Sequence, residues 1–132
     1  MITEPIRQLI AALPYVLVTT ADATGQPHVA IGEQVIISGD SLLVFENWFC
    51  PATLQNIACN PYVSVVAFMA DTGKGYQMLG SVIWGAGTAG LNGDAPSFFM
   101  SETPLVLTRF TVRVESVFEF TSGIHSDLPM VA

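Results

Sequence analysis

Pro51-Ala52-Thr53-Leu54-Gln55-Asn56-Ile57-Ala58-Cys59-Asn60-Pro61-Tyr62-Val63-Ser64-Val65-Val66 decides how the rest of the chain is read. Pro51 suits the first turn of a helix, where a missing N–H leaves no bond unmade. Leu54, Ile57 and Ala58 recur at helical spacing and can face a core. Asn60-Pro61 stops that helix, because proline pushes the residue before it out of the helical region. From Tyr62 to Phe68 the chain is apolar and β-branched, which is strand sequence. A short helix, a two-residue break and a buried strand therefore follow one another. A helix start carrying Thr53 and unbonded N–H groups is also a place where a phosphate can sit.

On the N-terminal side, Thr3 to Leu13 reads as an amphipathic helix. Thr3 stands at its cap, Pro5 in its first turn, and Ile6, Leu9, Ile10 and Leu13 on one face. Tyr15 to Thr20 is a strand, and Asp22 to Gly25 a turn. A second strand is expected from Pro27 to Ile37. Simple alternation would put Val29, Ile31, Glu33, Val35 and Ile37 on one face and His28, Ala30, Gly32, Gln34 and Ile36 on the other. Glu33 would then be a carboxylate in an apolar row, which requires a partner, a proton or a polar pocket. Ser38-Gly39-Asp40 is a hairpin turn, and Ser41 to Phe45 the third strand. Glu46 to Cys50 reads as a loop, in which Trp48 and Phe49 form either a lid on the core or a wall beside a planar ligand.

On the C-terminal side, Tyr62 to Phe68 is the fourth strand and Asp71 to Gly75 a polar loop. A long fifth strand runs from Tyr76 to Ala89, and Gly80, Gly85 and Gly87 mark bulges or bends in it. Gly90 to Pro104 is irregular, with a short helix expected at Ala95 to Met100. Leu105 to Phe120 is the last strand, with Phe110, Val112, Val114, Phe118 and Phe120 facing one way. Arg109, Thr111, Arg113, Glu115 and Glu119 face the other. The expected fold is mostly β: one domain over residues 1–132, a six-stranded antiparallel barrel with a few short helices.

Composition narrows the function. Hydrophobic residues make up 51% of the chain and charged residues 11%, against the roughly 25% charged that is usual. So few charges leave apolar surface for a subunit interface or a ligand bed. Four basic residues against eleven acids give a net charge of −7. That balance argues against nucleic acid and against anionic membrane surfaces as partners. Cys50 and Cys59 form neither a disulfide framework nor, with His28 and His125 scattered, a zinc pattern, so no metal is expected. Cys50 stands at the helix start, where a thiolate is favoured, but both cysteines are read as buried thiols of a cytoplasmic protein. No signal peptide and no apolar run near the ~20 residues of a membrane span is seen. No side-chain constellation assigns a catalytic residue.

The order of the pieces resembles the FMN-binding split-barrel family, which includes pyridoxamine 5′-phosphate oxidase and small FMN-binding proteins. The resemblance is carried by Tyr15 to Ala30, with its Asp22-to-Gly25 turn and Pro27. It is carried also by Ala52 to Ile57 followed by Asn60 to Ser64, and by Gly75 to Val82. It implies a split barrel and a homodimer with FMN in a groove at the subunit interface, acting as a flavin-dependent oxidoreductase or electron carrier. It implies that Gly32, Glu33, Gln34 and Val35 run along the flavin ring. Asn47, Trp48, Phe49, Cys50 and Pro51 would lie beside ring and ribityl chain. Thr53 would meet the phosphate, with Ala52, Gln55 and Asn56 as neighbours. Ala52 stands where relatives often carry a basic residue, so Arg109 or Arg113 would have to supply that charge unless they pair with Glu115 or solvent. The alternatives are a barrel that binds another planar cofactor, deazaflavin or haem, or a non-enzymatic interaction module. Oxidation of pyridoxamine phosphate itself is not expected, because too few basic residues remain to hold a second phosphate.

Overall fold

The computed structural model describes residues 1–83 and 108–130. Among the described residues two helices, α1 (Glu4–Ala12) and α2 (Pro51–Cys59), accompany seven strands. The strands are β1 (Val16–Ala21), β2 (Pro27–Gly32), β3 (Val35–Ser38), β4 (Leu42–Trp48), β5 (Tyr62–Met69), β6 (Lys74–Ile83) and β7 (Thr108–Thr121). All strand pairings are antiparallel, in the spatial order β2-β1-β5-β6-β7-β4-β3. The expected Gly85, Gly87 and the helix at Ala95 to Met100 lie outside the described residues.

Strand order and connectivity together impose the shape. β2 and β3 are the two margins of the sheet, yet only Glu33 and Gln34 join them. Flat, seven strands at ~4.8 Å spacing would hold those margins almost 30 Å apart. The link from Gly32 to Val35 reaches only about 11 Å even when extended. The sheet must therefore roll until its margins meet, which is a half-barrel left split along β2 and β3.

The seventh strand is a correction to the expected six, and its cause is local. The single strand expected over 27–37 breaks at Gln34, which takes a left-handed φ of +55°. The break also reverses the faces. Val29 and Ile31 are 57% and 58% exposed, whereas Val35 and Ile37 pack against the core. Glu33 is exposed at the turn, so the expected carboxylate in an apolar row does not occur.

Two further irregularities shift register. β4 does not stop at Phe45 but runs to Trp48, with a bulge between Phe45 and Trp48 against β7. Asn47 holds that bulge at φ +55°. One extra residue changes parity, so Phe45 and Trp48 both point inward. The second bulge lies between Leu79 and Gly80 against β7, where a Cβ on residue 80 would strike the Arg113 carbonyl. Past it, Val117 takes the core position, and Phe118 and Phe120 turn to the opposite face from Phe110, Val112 and Val114. Phe120 there packs on Phe68, ring centres 5.4 Å apart.

The core fills the half-barrel. Phe45, Phe110 and Trp48 form its aromatic centre, with centroids 5.0–5.5 Å apart. Val18, Leu43, Val65, Met78 and Val112 surround them. α1 adds Ile6 and Ile10, with Leu9 and Leu13 partly buried, as its periodicity predicts. Thr3 is its cap residue without a side-chain cap bond; its carbonyl accepts the Arg7 N–H at 3.0 Å. α2 adds Leu54 and Ile57, and Asn60 ends it, its N–H bonded to the Asn56 carbonyl at 2.7 Å. No described helix is long and apolar enough to cross a membrane.

Candidate functional site

α2 begins where β4 ends, and the segment between them stands opposite β2. The bulge at Asn47 turns Trp48 into the core and leaves the next side chain, Phe49, 61% exposed. The facing wall is β2 with the Glu33-Gln34 turn. A groove of about 820 Å³ lies between, lined by His28, Val29, Ala30, Ile31, Glu33, Gln34, Glu46, Asn47, Trp48, Phe49 and Cys50. That volume lies in the range of small-molecule and cofactor sites, and the mix of apolar walls with a few polar groups is typical of them. Gln34 and Asn47, two of the three non-glycine residues at left-handed φ among the described residues, both line it. Strained backbone of this kind concentrates at functional sites.

The expected site residues divide into three groups. Glu33, Gln34, Asn47, Trp48, Phe49 and Cys50 come together as groove wall. Gly32 and Val35 stand behind it. Gly32 is buried, and a Cβ there would lie 2.8 Å from Phe45 Cε1 and 3.1 Å from Trp48 Cζ3. Val35 packs on the core. Pro51, Ala52, Thr53, Gln55 and Asn56 belong to α2, at the end of the groove. Gln55 is exposed, while Asn56 Nδ2 donates to Thr20 Oγ1 at 3.0 Å and ties the helix to β1. Sequence reasoning left out His28, Val29, Ala30, Ile31 and Glu46. The β2 residues come from both faces of that strand, and no residue pattern announces them as groove wall.

The start of α2 is chemically unusual. Cys50 is its cap residue, and Cys50 Sγ lies 3.4 Å from His28 Nε2. Burial pushes the Cys50 thiol up. The Thr53 hydroxyl and N–H and the His28 ring together outweigh it and hold the thiol below its ordinary value. Thr53 itself is fully buried, and its Oγ1 has no hydrogen-bond partner of ordinary geometry. No bond is formed between Thr53 and the sulfur, so its effect is one of proximity. Trp48 Nε1 is also buried without a partner. Buried polar atoms are almost always paired, so two orphans on one six-residue stretch beside a groove mark incomplete surroundings. Cys50 is half-buried and Cys59 exposed, which corrects the reading of both as buried thiols.

Positive charge is scarce here. Arg109 Nη1 pairs with Glu46 Oε1 at 3.4 Å on the groove rim, rather than with Glu115, and both side chains are well exposed. Arg113 is exposed on β7, opposite Leu42 and Ser81. Among the described residues no group of three or more His, Cys, Asp or Glu can hold a metal ion.

Comparison with known proteins places this architecture. HupZ from Group A Streptococcus is 21% identical and superposes with a TM-score of 0.71, covering 96% of this chain and 99% of that one. An FMN-binding protein from Syntrophomonas wolfei is 14% identical, with a TM-score of 0.69 over 93% of this chain and 87% of that one. HutZ, the heme storage protein of Vibrio cholerae, is 16% identical, with a TM-score of 0.59 over 89% and 94%. At these identities the likeness is one of fold. A sequence comparison with curated proteins finds no match. The family model for pyridoxamine 5′-phosphate oxidase matches residues 2–99, a span running from α1 through β6. The chain belongs to the pyridoxamine 5′-phosphate oxidase family.

Proposed function

We propose that this chain is an FMN-binding flavoprotein, a flavin-dependent oxidoreductase or electron carrier that works as a homodimer. The observation that carries the reading is the groove itself: about 820 Å³, with Val29, Ile31 and Phe49 for a ring face and Gln34 and Asn47 for its polar edge. The flavin would supply the electron chemistry; the chain would orient the ring and exclude water. The orphaned Trp48 Nε1 and Thr53 Oγ1 are consistent with a ligand completing this region.

The phosphate end is thinly furnished. Pro51 brings no N–H to the first turn of α2, and Arg109 is paired with Glu46. What remains is the Ala52 and Thr53 N–H groups and the helix dipole, worth about 0.3–1 kcal/mol at an exposed terminus. Ring contacts therefore account for most of the affinity in this reading. The homodimer is supported by the outer face of the sheet, where Val29, Ile31 and Leu79 are exposed. Such apolar patches mark interaction surfaces.

The test is the visible absorption spectrum of the purified protein, repeated after adding FMN and desalting. A retained flavin spectrum is expected, weakened by Gln34→Ala and by Phe49→Ala. A colourless protein that lets FMN wash through would sink the reading, and a Soret band on adding haem would redirect it.

A further inference from the structure

The groove holds a second chemistry that does not depend on a flavin. Cys50 Sγ and His28 Nε2 are 3.4 Å apart, from α2 and β2, and both side chains line the open groove. A thiol at a helix N-terminus is favoured as thiolate by the dipole and by first-turn N–H groups. An imidazole in contact can take its proton, the arrangement of an activated nucleophile. The buried Thr53 hydroxyl is the independent sign. It lies three residues on from Cys50, in the same first turn of α2, with no partner of its own, a donor without an acceptor. A thiolate, or an oxygen attached to that sulfur, is the acceptor it lacks.

The surrounding charges select the reagent. Glu33 and Glu46 line the same groove, Arg109 is spent on Glu46, and the chain carries −7 overall. Anionic electrophiles and anionic disulfides are repelled, whereas a small neutral oxidant is not. We propose that Cys50 and His28 form a nucleophilic pair that makes the groove a site of oxidation by hydroperoxides. The Cys50 proton passes to His28 Nε2, and the sulfur attacks one peroxide oxygen. An S–O bond forms as the O–O bond breaks, and the departing hydroxide or alkoxide takes the proton from His28 and leaves as water or an alcohol. Sulfur is oxidised by two electrons to the sulfenic acid, and the peroxide is reduced. Cys59, at the far end of a nine-residue helix, lies on the order of 13 Å away along the axis. It cannot close a disulfide with Cys50 within the chain, so return to the thiol requires an external thiol.

The experiment treats purified wild-type protein with hydrogen peroxide in the presence of dimedone and maps the adduct by peptide mass spectrometry. The adduct is expected on Cys50 at a rate about tenfold or more above Cys59. Equal labelling of the two, or preference for Cys59, overturns the proposal. Iodoacetamide alkylation across pH then tests the pair. In His28→Gln the rise of the Cys50 rate should move to higher pH, because the sulfur loses the imidazole beside it. A profile unmoved in folded His28→Gln removes His28 from the site. The Cys50-to-Cys59 ratio in wild type stands as the test if that variant does not fold.

Discussion

The interior of the half-barrel and the groove are two sides of the same strands, and they are built by opposite rules. Inside, Phe45, Phe110 and Val112 are fully enclosed in the hydrophobic cluster. In the groove, left-handed backbone, a half-buried thiol, an imidazole and a carboxylate–guanidinium pair crowd into a few residues. Trp48 belongs to both, its ring in the aromatic core and its segment in the groove wall. The difference teaches where change is tolerated: the interior specifies the fold, and the groove departs from packing rules because something other than packing is asked of it.

The contrast can be broken from the interior first. Phe45→Ala should cost about 3–5 kcal/mol by urea unfolding, since it empties the aromatic centre. A loss below about 1 kcal/mol would mean that the centre is not packed as described. Gly32→Val tests the partition between the two sides. Its side chain would push into Phe45 and Trp48, so a destabilisation of about 1–3 kcal/mol is expected. If stability holds and only ligand retention changes, Gly32 belongs to the groove instead.

From the groove side, Gln34→Gly should leave stability unchanged or raise it by up to about 1 kcal/mol, because glycine accepts the left-handed φ without strain. A clear loss would show that the Gln34 side chain packs as a core residue does.

The smallest effect concerns the tail, outside both regions. His125 is raised above its usual value first by the Gly123 carbonyl, 2.7 Å from Nδ1, against a small burial effect, and then by Asp127, 2.9 Å from Nε2. Its contribution is complete below the unfolded value near 6.5 and fades as pH rises through the higher folded value. NMR titration of His125 checks it: a midpoint at or below 6.5 would remove the contact.

Much of this was legible beforehand, and the exceptions share one cause. The face of α1, the strands β1 and β5, the Asp22-to-Gly25 turn and the stop at Asn60 follow from periodicity and local chemistry. What failed was parity. A bulge adds one residue to a strand without altering its composition, yet every side chain beyond it changes face. Thus simple alternation puts Phe118 and Phe120 on the core face and groups Val29 and Ile31 with Val35 and Ile37, and composition ends β4 at Phe45. The two adjacent aromatics of Asn47 to Cys50 stand out in the sequence, but whether they are a lid on the core or a groove wall does not; the structure puts Trp48 in the core and Phe49 on the groove. The contact of His28 with Cys50 was not legible either, because it spans 22 residues and depends on how two irregular stretches fold toward each other.

The unsealed seam bears on how this molecule keeps from stacking with its own kind. Among the described residues, no strand pairs with the outer side of β2 or β3, and free margins of that sort template fibrils. The chain blunts both. β3 is four residues long, and β2 opens on Pro27, which has no N–H to offer. A variant that lengthens β3 or replaces Pro27 would leave the fold intact and sharpen those margins, and the damage would show first as turbidity rather than as unfolding.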